Sequence, residues 1–254
     1  MPRTVASRRK SVTNFPFSLY FPGAATNSVM DVGADIYNYE RTQPFSVAFW
    51  LYPLSYPVAT RHILSDYLAT GTFRGRFIRT ESPTILRFSL VNTLVSNELR
   101  CIYIPPNLAK WTRVVFTYDG SSTAAGVKCY FDNVLQTKAS TIETLSATTV
   151  TSGINTRWGN WGGGTGLGLS MFLAKPAVLN YEMTSGQVAD DWYDSRWSGN
   201  TPVDWYPLSE GSSTSVASLG TGNHTGTLGA GVTWSTNTPG RARTAIPQNR
   251  LPTS

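Results

Sequence analysis

The chain of 254 residues has little charge, little cysteine and little histidine. Charged residues make up 14% of it, too few for a disordered chain or for long charge-laced helices. Two cysteines, Cys101 and Cys129, cannot build a disulfide framework. Both lie in strand-like runs, which favours buried free thiols over one disulfide between neighbouring strands. Two histidines, His62 and His224, leave little material for a nucleophilic triad, and no Gly-x-Ser-x-Gly elbow occurs. Together with two buried cysteines they give no zinc spacing. No apolar run is long enough to span a bilayer. No apolar segment follows Lys10, as a secretory leader requires, so the expectation is synthesis and folding in the cytosol or a leader already removed. On that route the sequon Asn223 to Thr225 carries no weight.

Apolar residues reach 41%, and 22 glycines and 15 prolines punctuate the chain throughout. Thr, Ser, Val, Tyr and Trp are plentiful and suit a pleated, half-buried surface. From Phe45 to Tyr52, residues Phe45, Val47, Phe49 and Leu51 share one face, and Pro53 ends the run. From Trp111 to Tyr118, residues Val114, Phe116 and Tyr118 share a face, and Asp119-Gly120 marks a turn. Val127, Cys129 and Phe131 follow on one face, and Asp132-Asn133 reads as a tight hairpin turn into Val134-Leu135. Ile85 to Val91, Leu99 to Ile104 and Leu169 to Leu179 are further strand candidates. One short helix is predicted, because Thr184 and Gln187 have capping-box spacing. Val188 and Trp192, four apart, can pin it to a sheet. Many strands with regular turns and no βα alternation predict an all-β sandwich or barrel, within the size of one domain.

The net charge is +6, and much of the excess sits at the ends: Arg3, Arg8, Arg9 and Lys10, then Arg241, Arg243 and Arg250. These ends read either as solubilising termini or as assembly arms that touch an acidic neighbour or nucleic acid. The runs are short and lack interleaved aromatics, so they argue little for nucleic acid.

Several of these segments fit one known pattern. Trp111 to Gly120 opens on Trp-Thr and closes on Thr-Tyr-Asp-Gly, and Val127 to Val134 ends in a two-residue turn. Leu19 to Gly23, Val29 to Gly33 and Phe45 to Pro53 precede them; Leu179 to Thr184 and Trp192-Tyr193 follow. In this order and spacing they resemble laminin-G-like domains of the concanavalin A-like lectin/glucanase superfamily. The resemblance implies a two-sheet antiparallel jelly-roll sandwich with one short helix. Two departures stand out. The family usually carries an acidic residue in the strand after its Gly-rich loop, whereas Gly168 to Phe172 has none. Trp205 to Gly211, Gly222 to Leu228 and Val232 to Trp234 resemble the segment that usually opens such a domain, yet here they close it. Chain ends of a domain often lie close together, so a permuted order is physically reasonable. The expected division is a basic arm (1–16), a sandwich (17–198), a C-terminal β segment packing on it (199–236) and a tail (237–254).

Glycoside hydrolases share the implied fold, so paired carboxylates are the first chemical test. A pair at alternate strand positions would face one cleft as acid and nucleophile. None of Glu40, Glu81, Glu98, Glu143, Glu182 or Glu210 has a carboxylate two residues on. Asp190, Asp191 and Asp194 cluster near the helix and read as a solvated face. His62 opens a strand-like run and reads as structural. Calcium needs only carbonyl and Asp oxygens. Asp31 and Asp119 are therefore candidate ligands, beside the simpler reading that each hydrogen-bonds within its own turn. Gly159 to Gly166 lacks the Lys-Ser/Thr of a phosphate loop and reads as a flexible loop. Arg157, Trp158, Asn160 and Trp161 flank it, and exposed Trp beside Asn and Arg would make a sugar platform. The same Trp residues suit a core or a subunit contact equally.

The function expected from these readings is non-catalytic. The first expectation is a surface component of a virus particle (capsid, decoration or spike-like), contacting copies of itself and other particle proteins. The alternative is a soluble, secreted or cell-surface glycan-binding module. A degenerate hydrolase is a minor third reading.

Overall fold

A computed structural model of the protein describes residues 16–23, 27–68, 70–161, 166–194 and 201–239, with backbone alone at 192–194. The basic residues Arg3, Arg8, Arg9, Lys10, Arg241 and Arg243 lie outside the described residues, as does the centre of the Gly-rich loop. Sheet A contains β1 (Ser18–Pro22), β3 (Phe45–Pro53), β8 (Thr112–Tyr118), β9 (Val127–Phe131), β10 (Val134–Leu135), β13 (Ser170–Leu179), β14 (Asp204–Trp205) and β17 (Thr233–Ser235). Its order is β10-β9-β8-β3-β13-β1-β17, with β14 also on β13. Sheet B contains β2 (Met30–Ala34), β4 (Arg61–Tyr67), β5 (Gly75–Ser82), β6 (Ile85–Thr93) and β7 (Asn97–Tyr103). It is completed by β11 (Ser140–Glu143), β12 (Asn155–Trp158), β15 (Ser215–Val216) and β16 (Gly226–Leu228). Its order is β11-β7-β6-β5-β4-β12-β2-β16-β15. The ladders between strands are antiparallel, and the two sheets close face to face as a jelly-roll sandwich.

Period-2 alternation builds the interior. Phe45, Val47, Phe49 and Leu51 of β3 and Val114, Phe116 and Tyr118 of β8 point inward from sheet A. They meet Leu86, Phe88 and Leu90 of β6 and Leu99, Cys101 and Tyr103 of β7. Phe88 stacks on Phe116 at 5.5 Å across the two sheets. Cys101 and Cys129 are buried free thiols on opposite sheets, so no neighbouring-strand disulfide joins them. The hairpin turn between β9 and β10 has φ 48° at Asp132 and 69° at Asn133, the left-handed pair a two-residue turn requires. The capping box is reciprocal: Gln187 N–H donates to Thr184 Oγ1 (3.3 Å), and Thr184 N–H donates to Gln187 Oε1 (2.9 Å). Val188 of α1 (Ser185–Asp194) then packs with Ala48, Val115 and Leu179 on the outer face of sheet A.

Asp191 overturns the solvated-face reading. It is 1% exposed and accepts a hydrogen bond from Arg113 Nε at 2.7 Å, while Arg113 is also 1% exposed. Arg113 Nη1 donates in addition to Lys175 O at 3.1 Å, so one guanidinium ties α1 to two strands of sheet A. The helix carries this carboxylate inward because the sheet offers a fixed cation there.

The C-terminal segment adds strands to both sheets. β14 pairs with β13, β16 with β2 and β17 with β1. Tyr206, Leu208, Val216 and Leu228 join the main core. Asp204, fully buried, accepts from Tyr37 OH at 2.6 Å and from His224 N–H at 2.9 Å, and its Oδ2 lies 2.6 Å from His224 Nδ1. No helix among the described residues is long and apolar enough to cross a membrane.

Replacing one partner of a buried ion pair strands the other. Asp191→Ala is therefore expected to lower stability by about 3–5 kcal/mol, measured by urea denaturation. An effect below about 1 kcal/mol would show that α1 docks without this pair.

Candidate functional site

The strands of sheet B that send Ile78, Leu86 and Leu99 inward send polar and aromatic side chains outward. Phe77, Arg79 and Glu81 of β5, Arg87, Ser89 and Val91 of β6, and Glu98 and Arg100 of β7 share this outer face. A bulge between His62 and Leu64 in β4 lets Ile63 and Leu64 both enter the core while His62 faces out.

Tyr67, Phe77 and Val91 form a separate apolar cluster on this face, with Phe73, Leu94 and Trp161 packed against it. Trp161, partly exposed, stacks on Tyr67 (5.9 Å, 13°) and on His62 (6.5 Å, 25°). Beside the stack runs a ladder of arginines and carboxylates. Arg79 and Arg87 stand opposite each other across β5 and β6, and both guanidinium groups lie over the Phe77 ring, at 4.3 and 4.9 Å. Facing like charges would repel. Glu81 relieves this by accepting from Arg79 Nε (2.9 Å) and Arg87 Nη1 (3.0 Å). Arg87 Nη2 also donates to Glu98 at 2.5 Å.

The residues singled out in the sequence separate here. Arg157 and Trp161 do reach this outer face, and Asp31 joins them, since Arg157 Nε donates to Asp31 Oδ2 at 2.7 Å. Trp158 does not: its ring is fully buried and meets Phe49 edge-on at 5.6 Å. Adjacent positions on a strand point to opposite faces, so Arg157 and Trp158 cannot line one platform. Asn160 is also buried, with its Oδ1 accepting from Trp161 N–H and its carbonyl from Ser65 Oγ. Asn160 positions Trp161 and presents no surface of its own. Asp31 accepts from Gly33 N–H, Asn155 and Arg157, and Asp119 from Ser121 N–H. Asp31 belongs to sheet B, while Asp119 follows β8 of sheet A. Among the described residues no three His, Cys, Asp or Glu side chains gather as a metal site. His62, Tyr67, Phe77, Arg79, Glu81, Arg87 and Glu98 were not picked out as a site, because neighbours on this face come from four strands.

Glu81 and Glu98 come together across β6, a juxtaposition that in-strand spacing cannot reveal. Burial pushes the Glu81 carboxyl up, but Arg79 and Arg87 outweigh it and hold it below the usual range. A general acid needs the opposite shift. Arg87, buried between the two carboxylates, holds both by hydrogen bonds. Burial, aided by Arg79 and Arg87, holds His62 neutral to well below its ordinary value. Burial pushes the Tyr67 hydroxyl up to about 12.

Residues 25–189 match a laminin G-type family model described as the concanavalin A-like lectin/glucanases superfamily. Among solved structures, a candidate carbohydrate-binding protein from Bacteroides ovatus is 13% identical with a TM-score of 0.59. The match covers 87% of this chain and 60% of that one. The binding domain of Paraclostridial Mosquitocidal Protein 1 is 12% identical with a TM-score of 0.50, covering 72% of this chain and 44% of that one. The chain thus spans less than two thirds of either structure. No curated protein matches the sequence.

The buried neutral histidine gives a signed pH effect. Its folded pKa lies below the ordinary 6.5, so the unfolded chain takes up a proton that the fold refuses. His62 therefore costs nothing above pH ~6.5 and costs up to about 1.4 kcal/mol for each unit below it. His62→Gln is expected to flatten the loss of Tm between about pH 6.5 and 5 relative to the parent. Parallel pH profiles for the two proteins would rule the effect out.

Proposed function

The chain belongs to the concanavalin A-like lectin/glucanases superfamily, and from that premise we propose that it is a non-catalytic carbohydrate-binding module. The fold alone hosts many functions, so the reading rests on the outer face of sheet B. One observation carries it: Trp161 stands partly exposed on the Tyr67–His62 stack, beside a ladder of fixed arginines and carboxylates. An aromatic face packs on the apolar C–H surface of a sugar, and the partly exposed Arg79 and Glu81 at its edge can donate to and accept from hydroxyls, with Glu81 held by the buried Arg87. The stack and the ion pairs hold these groups before a ligand arrives, which lowers the entropic cost of binding. The carboxylate pair bound to Arg87 supports a binding role over hydrolysis. The Bacteroides ovatus protein, a candidate for carbohydrate binding, is consistent with this reading.

A glycan array followed by calorimetry on the strongest hit tests it. Trp161→Ala is expected to weaken that hit by about tenfold or more while Tm changes little, since the ring is partly exposed. No hit on the array, or equal affinity in the variant, would overturn the assignment.

A second reading, a component of a virus-particle surface, is favoured by the outer face of sheet A. Trp111, just before β8, and Tyr52, Phe172 and Tyr20 of β3, β13 and β1 form a partly exposed row, with ring spacings of 5.5, 5.7 and 5.1 Å. Leu54 (40% exposed) and Leu108 (48%) are exposed near the same end of the sheet. Ser18 Oγ donates to Asn237 O, so the chain enters and leaves the sandwich side by side. Such a face suits contact with copies of the chain or with other particle proteins. Sedimentation of the native source, with the protein followed by mass spectrometry, is expected to place it in a high-mass band under this reading. Recovery in the soluble fraction alone would eliminate it.

A further inference from the structure

One end of the sandwich collects most of the exposed aliphatic side chains. Of nine large apolar residues that stand exposed among the described residues, six gather there. Leu54 and Val58 lie between β3 and β4, Ile104 and Leu108 between β7 and β8, and Val134 and Leu135 form β10, just past the β9–β10 turn. Hydrogen bonds hold these loops together. Ala109 N–H donates to Pro53 O (2.9 Å), which brings the chain at Leu108 beside the chain at Leu54. Buried Tyr56 donates its OH to Pro106 O (2.9 Å). Ala59 N–H donates to Pro57 O (2.8 Å), so Val58 stands at the apex of a three-residue turn, 87% exposed. Single exposed apolar residues are ordinary, but a group confined to one end marks a contact surface.

The chemistry around these tips narrows the partner. Residues 54–60 and 104–111 contain no acidic residue and one cation, Lys110. Tyr52 and Trp111 stand just behind the tips on sheet A, each with an apolar body and a polar edge. The described chain begins and ends on this same face. The Asn237 carbonyl accepts from Ser18 Oγ (2.6 Å), and Asn237 Oδ1 accepts from Trp111 Nε1 (3.1 Å). The sequence beyond, residues 1–15 and 240–254, holds seven of the 21 Lys and Arg and none of the 15 Asp and Glu, leaving 14 cations against 15 acids in between. The net positive charge is thus carried by ends that join the sandwich beside its apolar tips.

We infer that this end of the sandwich docks on the surface of an anionic lipid bilayer, with Val58 and Ile104 as inserting side chains. Separate aliphatic tips on convex turns need a matching socket each in a rigid partner, whereas acyl chains close around any of them. Trp and Tyr suit the headgroup level directly above. A few inserted side chains hold only weakly, and basic segments add attraction to anionic headgroups, so the two signals together make the contact firm. The protein lies on the bilayer without spanning it. The inference is independent of the outer face of sheet B and of any glycan bound there.

Co-sedimentation of the full chain with vesicles of phosphatidylcholine mixed with phosphatidylserine tests it, beside vesicles of phosphatidylcholine alone. Binding to the mixed vesicles is expected to be several-fold stronger, and to weaken as salt rises. Val58→Asp and Ile104→Asp are each expected to weaken it about tenfold with little change in Tm, since both side chains are exposed. Val95→Asp makes the same change at an exposed position between β6 and β7, at the opposite end, and is expected to bind like the parent. Absence of binding to the mixed vesicles would overturn the inference, and self-association lost in Val58→Asp would then assign the tips to contact between copies of the chain. Equal binding by all three variants would overturn it too, leaving adsorption through the basic ends alone.

Discussion

A bulge at Lys175–Pro176 in the central strand β13 organises much of sheet A. Proline has no N–H to give to a ladder, so a central strand can carry it only where the ladder is broken. The register records the break: Ala174 pairs with Trp50 and Ala177 with Ala48, leaving two residues of β13 opposite one of β3. Lys175 takes a φ of 50° there. The displaced carbonyls find other donors, Arg113 for Lys175 and the Tyr206 N–H for Pro176. Before the bulge β13 pairs with β1, and after it with β14. One irregularity thus admits the C-terminal segment to the sheet and fixes the guanidinium that docks α1. Buried Lys175 extends toward the Trp205 ring at 5.1 Å and joins the same junction.

The two outer faces of the sandwich follow from this arrangement. On sheet A, α1 covers Ala48, Val115 and Leu179 and leaves the aromatic row at the other end of the sheet partly exposed. On sheet B, polar alternation places arginines and carboxylates side by side, and their mutual hydrogen bonds make burial tolerable. The part of this face left partly exposed, Arg79, Glu81 and Trp161, is held rigid by ion pairs with buried Arg87 and by the aromatic stack at its margin. Rigidity of that kind favours recognition of a ligand whose hydroxyls must be matched in fixed directions. The same ion pairs hold the Glu81 carboxyl too acidic to serve as a proton donor.

Much of the fold was legible before the structure. The inward sets of β3 and β8, the Asp132-Asn133 turn and the Thr184–Gln187 box depend on residues a few positions apart, and each forms as read. The site was legible only in fragments. Arg157, Trp161 and Asp31 share one face, but Trp158 turns into the core and Asn160 is buried beneath the loop. A cluster of Trp, Arg and Asn in sequence says little about a common surface, since strand alternation divides neighbours between faces. The contact of His224 with buried Asp204 spans 20 residues and also involves Tyr37 far upstream, beyond any local pattern.

The sequence by itself determined the element types, the turns, the helix cap and membership of a sandwich family, because these follow from local sterics, period-2 patterning and ordered motifs. Only the tertiary structure decided which charges are buried and with whom. Arg113 with Asp191, Arg87 with Glu81 and Glu98, and Arg76 with Asp66 are partners set by cross-strand register and by bulges. A shift of one residue in any strand would turn its side chains to the opposite face. No local rule specifies that register, so the chemistry of both outer faces became visible only once the strands were aligned.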